Sequence, residues 1–100
     1  MKHKIVTYTA KPDKIEEVKK LVNQFVEYVK ENEPETLVYE CYQDKKDSSS
    51  FIQFMTFLSE EAEERHKNSG QCRRFVELLY GNLVEEPEFG DVNLVKSNRD

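Results

Sequence analysis

Few side chains in this sequence could carry a proton or attack a substrate at neutral pH. Two histidines, five tyrosines and two cysteines make up the reactive types. His66 is the only centrally placed residue whose ordinary pKa suits a general base near pH 7. Tyr39 or Tyr8 could donate to a developing enolate oxygen, and Gln53 could orient a substrate carbonyl. Each has a plainer reading beside that one. An imidazolium near a helix end, where His66 falls, can satisfy carbonyls and the dipole without any chemistry. Tyr8 and Tyr39 can be amphipathic packing, with a hydroxyl reaching a polar neighbour. Cys41 reads as a small core residue and Cys72 as helix packing. His3 lies in what reads as a frayed terminus and carries no signal. No phosphate loop, metal-ligand cluster or Ser/His/Asp order is recognisable, so no cofactor is expected.

These side chains need elements to hold them. "KIVTYTA", Lys4 to Ala10, is rich in β-branched and aromatic residues and stops at Lys11-Pro12, which predicts a first strand. Asp13, three residues before Glu16, has the form of an N-cap with a capping-box partner. Ile15, Val18, Val22, Phe25 and Val29 follow as one apolar helical stripe, with Lys14, Glu17, Lys20, Glu27 and Lys30 on its solvated side. Pro34 pushes Glu33 out of the α region and ends that helix. Thr36 to Gln43 is a second strand, "DKKDSSS" a turn-forming loop, and Phe51 to Leu58 a third strand. Ser59, with Glu60 and Glu61 behind it, opens a short helix. Ser69 caps another helix, with Cys72, Phe75, Val76, Leu79 and Leu83 on one face, and "EFGDVNLV" after Pro87 makes a last strand. The order predicts an α+β, ferredoxin-like split β-α-β sandwich, a four-stranded antiparallel sheet with helices on one face. Residues 1–100 read as a single domain, with no internal repeat or linker.

Composition narrows the class. With 37% hydrophobic and 35% charged residues, the chain is a folded domain rather than a disordered one. A net charge of −5 repels nucleic acid. No apolar run reaches membrane-spanning length, and "MKHKIVTYTAKP" lacks the apolar segment of a signal peptide. Cys41 and Cys72 form neither a metal-ligand spacing nor a disulfide scaffold, so a reduced, cytoplasmic protein is expected.

The third strand, "FIQFMTFL", offers apolar side chains to both faces. A simple hairpin sets Gln43 near Phe51 and Tyr39 near Met55. Leu37, Tyr39, Cys41, Gln53, Met55 and Phe57 then share one face, and Val38, Tyr42, Ile52, Phe54 and Leu58 the other. The helices cover only one of these. Leaving the second in water would forgo about 1.5–3 kcal/mol per large side chain, so a homodimer packed through Val38, Ile52, Phe54 and Leu58 is expected. The alternative, a C-terminal tail folded over the sheet, suits the polar "KSNRD" poorly.

The stretch from Glu33-Pro34 through Tyr39-Glu40, Asp44, Phe51, Ala62, His66 and Ser69 to Phe75 resembles the antibiotic biosynthesis monooxygenase family, small dimeric α+β barrels. With the first strand and helix, the likeness covers nearly the whole chain. The family includes cofactor-independent oxygenases of quinols and polyketide phenols, haem-degrading enzymes and an isomerase of a sugar phosphate. The resemblance implies a pocket between sheet and helices within each subunit, on the face bearing Tyr39, Gln53, Met55 and Phe57. Departures are as informative. Many members have a glutamate and a tryptophan where this chain has Met55 and Phe57, and a second histidine where it has Ser69-Gly70-Gln71-Cys72. The haem degraders' asparagine, tryptophan and iron-ligating histidine fall at Tyr8, Phe57 and Val76, which argues against haem cleavage. Acylphosphatase shares the topology but needs an arginine-bearing phosphate loop, which "AKPDK" does not offer.

The expected function is cofactor-free oxygenation of a small aromatic or quinol-like substrate, with His66 as base, Tyr39 and Tyr8 as polar wall groups, and Gln53, Met55 and Phe57 against the substrate. Two alternatives stay open: a non-catalytic dimeric module binding a small hydrophobic ligand, favoured by the missing Glu and Trp, and an isomerase of a small carbonyl compound. Met55 and Phe57 can equally be plain core.

Overall fold

The computed structural model describes residues 1–100. In chain order it forms β1 (Lys2–Thr9), α1 (Ile15–Asn32), β2 (Thr36–Gln43), β3 (Ser50–Phe57), α2 (Glu60–Asn68), α3 (Gly70–Tyr80) and β4 (Glu88–Val92). The strands make one antiparallel sheet in the order β2-β3-β1-β4. This is the α+β, ferredoxin-like arrangement that the element order predicts.

Hairpin register follows the expected pairing, with Tyr39 opposite Met55 and Gln43 opposite Phe51. The loop chemistry holds it there. Asp44 Oδ2 accepts from the backbone N–H groups of Lys46 and Asp47, and Asp47 Oδ1 accepts from both N–H and hydroxyl of Ser49, local bonds that lock the turn. Pairing aligns the inward residues in rungs: Cys41, Gln53, Val6 and Phe89 cross the sheet together, as do Tyr39, Met55, Lys4 and Asp91.

Helix α1 buries Val18, Val22, Phe25 and Val29 of its expected stripe, with Leu21 beside them and Ile15 half-buried. Pro34 ends the helix, and Glu33 sits outside the α region at φ −124°. Ser59 and Ser69 cap α2 and α3 by accepting from the N–H groups of Ala62 and Cys72. Phe25 on α1 stacks on Phe75 of α3 with centroids 4.5 Å apart, closing the helical layer over the sheet.

Several expectations are corrected. Asp13 does not cap α1: the cap position is Lys14, which makes no side-chain cap bond, because a turn with Lys14 N–H donating to Lys11 starts the helix one residue later. Leu37 does not join the inner face. A register shift between Thr36 and Val38 turns it out, leaving it 45% exposed. Leu83 lies beyond α3 and reaches the core through an isolated bridge to Ala10, which itself falls after β1. β4 ends at Val92, so Leu94 and Val95 of the expected strand stay outside the sheet, exposed. His3 is not frayed: it pairs with Thr56 and Val92 inside the sheet, and its Nδ1 lies 2.9 Å from Thr56 Oγ1.

On the far face of the sheet, Ile5, Val38 and Ile52 are half-buried, while Phe54 is 38% and Tyr42 50% exposed. Leu58, just beyond β3, is exposed as well. The C-terminal tail does not shield them.

Candidate active site

Between the inner sheet face and the helices lies a cavity of about 250 Å³. An apolar cavity of about 150 Å³ admits one benzene ring, so this one has room for a ring system of one or two rings. Eleven of its seventeen lining residues are hydrophobic, so a ligand there would be held mainly by apolar contact and oriented by a few polar groups. The six residues singled out in the sequence, Tyr8, Tyr39, Gln53, Met55, Phe57 and His66, all line it.

The polar groups form a directed chain. Tyr8 Oη donates to Gln53 Oε1 at 2.5 Å, and Gln53 Nε2 donates to Tyr39 Oη at 3.2 Å. Cys41 Sγ lies 3.4 Å from Tyr8 Oη. Tyr8 therefore spends its proton on Gln53. The Tyr39 hydroxyl only accepts within the protein, and its own proton remains available to a bound oxygen. Burial pushes both phenols far above the ordinary tyrosine value, with Cys41 adding to the effect at Tyr8 and Cys72 at Tyr39. Both remain hydrogen-bond donors across any working pH. Burial raises the Cys41 thiol and pushes Cys72 up to about 11, so neither is a ready nucleophile.

His66 projects from α2 into a clasp of aromatic rings, with centroids 5.1 Å from Phe57, 5.5 Å from Tyr39 and 5.7 Å from Phe25. It is 6% exposed. Its Nδ1 lies 2.7 Å from Glu33 Oε1. The ring does not serve the helix carbonyls, which corrects the plainer reading of its place near a helix end. Its other nitrogen, Nε2, has no hydrogen-bond partner in the protein and is not sealed from solvent, the only sealed and unpartnered side-chain polar atom being Glu33 Oε2. His66 thus lines the cavity with one ring nitrogen engaged and the other without a protein partner.

Two features of the site are absent from the sequence reading. Glu33 was visible only as the residue before a proline. An ion pair between half-buried Lys4 and buried Glu63, Nζ to Oε2 at 2.7 Å, forms part of the cavity wall. Strand alternation placed Lys4 on the face of Val6 and Tyr8, and that inward charge was the available signal. Lys67 and Phe89, both substantially exposed, mark the side where the cavity meets solvent.

Residues 1–78 match the family model for antibiotic biosynthesis monooxygenase. No curated protein matches the chain. Among solved structures, an antibiotic biosynthesis monooxygenase aligns at 24% identity and TM-score 0.87, covering 96% of this chain and 100% of that one. PA3566 from Pseudomonas aeruginosa aligns at 24% identity and TM-score 0.83, covering 95% and 94%. Rv0793 from Mycobacterium tuberculosis aligns at 13% identity and TM-score 0.87, covering 97% of each chain. Likeness at these identities establishes the fold.

Proposed function

From the premise that this chain belongs to the antibiotic biosynthesis monooxygenase family, we propose that it is a cofactor-independent monooxygenase of a small aromatic or quinol-like substrate. The observation that carries this reading is His66, which lines an apolar cavity sized for one or two rings and whose Nε2 has no partner in the protein. The base removes a proton from an acidic phenol or ring CH₂, giving an electron-rich anion. That anion reduces dioxygen directly: one oxygen atom becomes a carbonyl on the substrate, the other leaves as water, and the substrate CH₂ supplies all four electrons. Tyr39, whose hydroxyl proton is free, hydrogen-bonds the enolate oxygen, while Gln53 and Tyr8 hold Tyr39 in place. Met55 and Phe57 flank the ring and keep water out.

The same reading has two copies packed through the outer sheet face, centred on Val38, Ile52, Phe54 and Leu58. Support comes from Ile52 and Phe54 on the central strand β3, flanked by Val38 on β2 and Leu58 just beyond β3, with Phe54 and Leu58 left exposed by the rest of the chain. Phe54→Asp is expected to halve the mass measured by light scattering behind a sizing column. A variant that keeps its mass would remove this face from the interface. No helix is long and apolar enough to cross a membrane, and free thiols at Cys41 and Cys72 support a reducing, cytoplasmic setting.

The enzymatic reading is tested by oxygen uptake with a panel of hydroquinones and phenols, run beside equilibrium binding of the same compounds. Uptake of one dioxygen per substrate is expected. Tight binding with no uptake across the panel would replace the enzyme by a ligand-binding module, the second reading, which Met55 and Phe57 favour by adding apolar wall where many relatives carry Glu and Trp.

A further inference from the structure

We infer that Glu33 is the positioning residue for His66, holding the imidazole as the tautomer with its proton on Nδ1 and its lone pair on Nε2. The inference rests on the proposal that His66 is the base, and adds the group that makes it one.

Glu33 ends α1, and its backbone is pinned on both sides, its N–H donating to Val29 and its carbonyl accepting from Thr36. The side chain is thereby aimed at α2. Oε1 accepts from Thr36 Oγ1 at 2.8 Å while lying 2.7 Å from His66 Nδ1. An oxygen that already accepts from a hydroxyl and belongs to a carboxylate takes a proton from the ring, so Nδ1 is the protonated nitrogen. The two nitrogens of a neutral imidazole have opposite roles, and the bond made by one decides the role of the other. Nε2 is then the acceptor, and it is the nitrogen with no partner in the protein.

Placement supports a division of labour. His66 lines both the inner cavity and a second depression that contains Glu33, whereas Glu33 does not line the inner cavity. The carboxylate therefore touches the base from behind and does not touch substrate. Its second oxygen, Oε2, is sealed off with no partner at all. A helix stop does not need a sealed carboxylate with an idle oxygen, because Pro34 already ends the helix. Three donors and acceptors in line, Thr36, Glu33 and His66, are explained by orientation of the ring.

The test is ¹⁵N NMR of the His66 side chain in the intact protein, above the pH at which the ring becomes neutral, together with Glu33→Leu and Glu33→Gln. The native protein is expected to show the proton on Nδ1. Glu33→Leu, which removes the acceptor altogether, is expected to shift the population toward the Nε2-protonated form, and Glu33→Gln, whose amide oxygen can still accept from Nδ1, to do so less. If a quinol substrate is turned over, kcat of Glu33→Leu should fall by about ten- to a hundred-fold, the scale for loss of an orienting outer partner, with KM unchanged because Glu33 is outside the cavity. The native tautomer is read with or without a substrate, so absence of turnover overturns the enzymatic proposal and leaves this one standing. A native His66 carrying its proton on Nε2 overturns the inference even if neither variant folds. An unchanged tautomer in folded Glu33→Leu overturns it as well.

Discussion

Alanine at His66 is expected to lower turnover of a quinol or phenol substrate by about 10²–10⁴-fold at equal folded concentration, the range a positioned general base supplies. The loss should fall on kcat and on kcat/KM together, since the proton is moved only as the transition state forms. Truncation also strips Glu33 Oε1 of one of its two partners, and a buried acceptor left short costs stability of about 1–3 kcal/mol. A drop in activity could then reflect partial unfolding. His66→Gln separates the two effects. Its amide can donate to Glu33 in place of Nδ1, yet it is no base at any accessible pH. Near-normal melting with the full rate loss is expected for glutamine, and lower melting with a similar rate loss for alanine. Turnover that survives in either folded variant would remove His66 from the chemistry.

Much of this site could be read from the sequence because alternation and stripe fix which residues share a face. Tyr39, Gln53, Met55 and Phe57 fall together once the hairpin is registered, and that register depends on Asp44 and Asp47 binding their own loop backbone. Leu37 shows how narrow the warrant is, because one bulge removed it from the face that alternation gave it. Asp13 carried a capping-box spacing that the backbone does not use, since spacing alone does not say where the helical dihedrals begin. Glu33 was harder. Its partner lies thirty-three residues away on another element, and a Glu before Pro already has a sufficient local explanation as a helix end. Lys4 and Glu63 were both plausible as solvated charges, and only the tertiary placement of α2 on the sheet brings them together. Sequence periodicity reports which side of an element is buried, and pairing between buried polar groups is a tertiary fact.

Loss of that ion pair is the other large effect expected of a single substitution. Lys4→Met should cost about 3 kcal/mol, the lower end of the range for removing one partner of a buried pair, because Lys67 Nζ remains 3.7 Å from the same Glu63 oxygen. For a domain of this size that is about 12–24 °C in melting temperature. The pH dependence identifies the cause. Burial would push the Glu63 carboxyl up, but Lys4, through its hydrogen bond and its charge, outweighs burial with help from Lys67 and Lys2 and leaves the group below its ordinary 4.5. The folded value thus lies under the unfolded one. The pair's contribution is complete above about pH 4.5 and is lost as pH falls through the folded value. In Lys4→Met the strongest influence lowering the carboxyl is gone, so protonation sets in at higher pH than in the native protein and relieves the variant. The stability gap between the two proteins, measured by urea unfolding, should therefore narrow steadily from pH 6 to pH 3. A gap that stays constant would mean that the lysine acts through the packing of its methylenes and not through its charge. Lys4→Met combined with Glu63→Leu should recover most of the loss, since two well-packed apolar side chains leave no unpaired charge in the cavity wall.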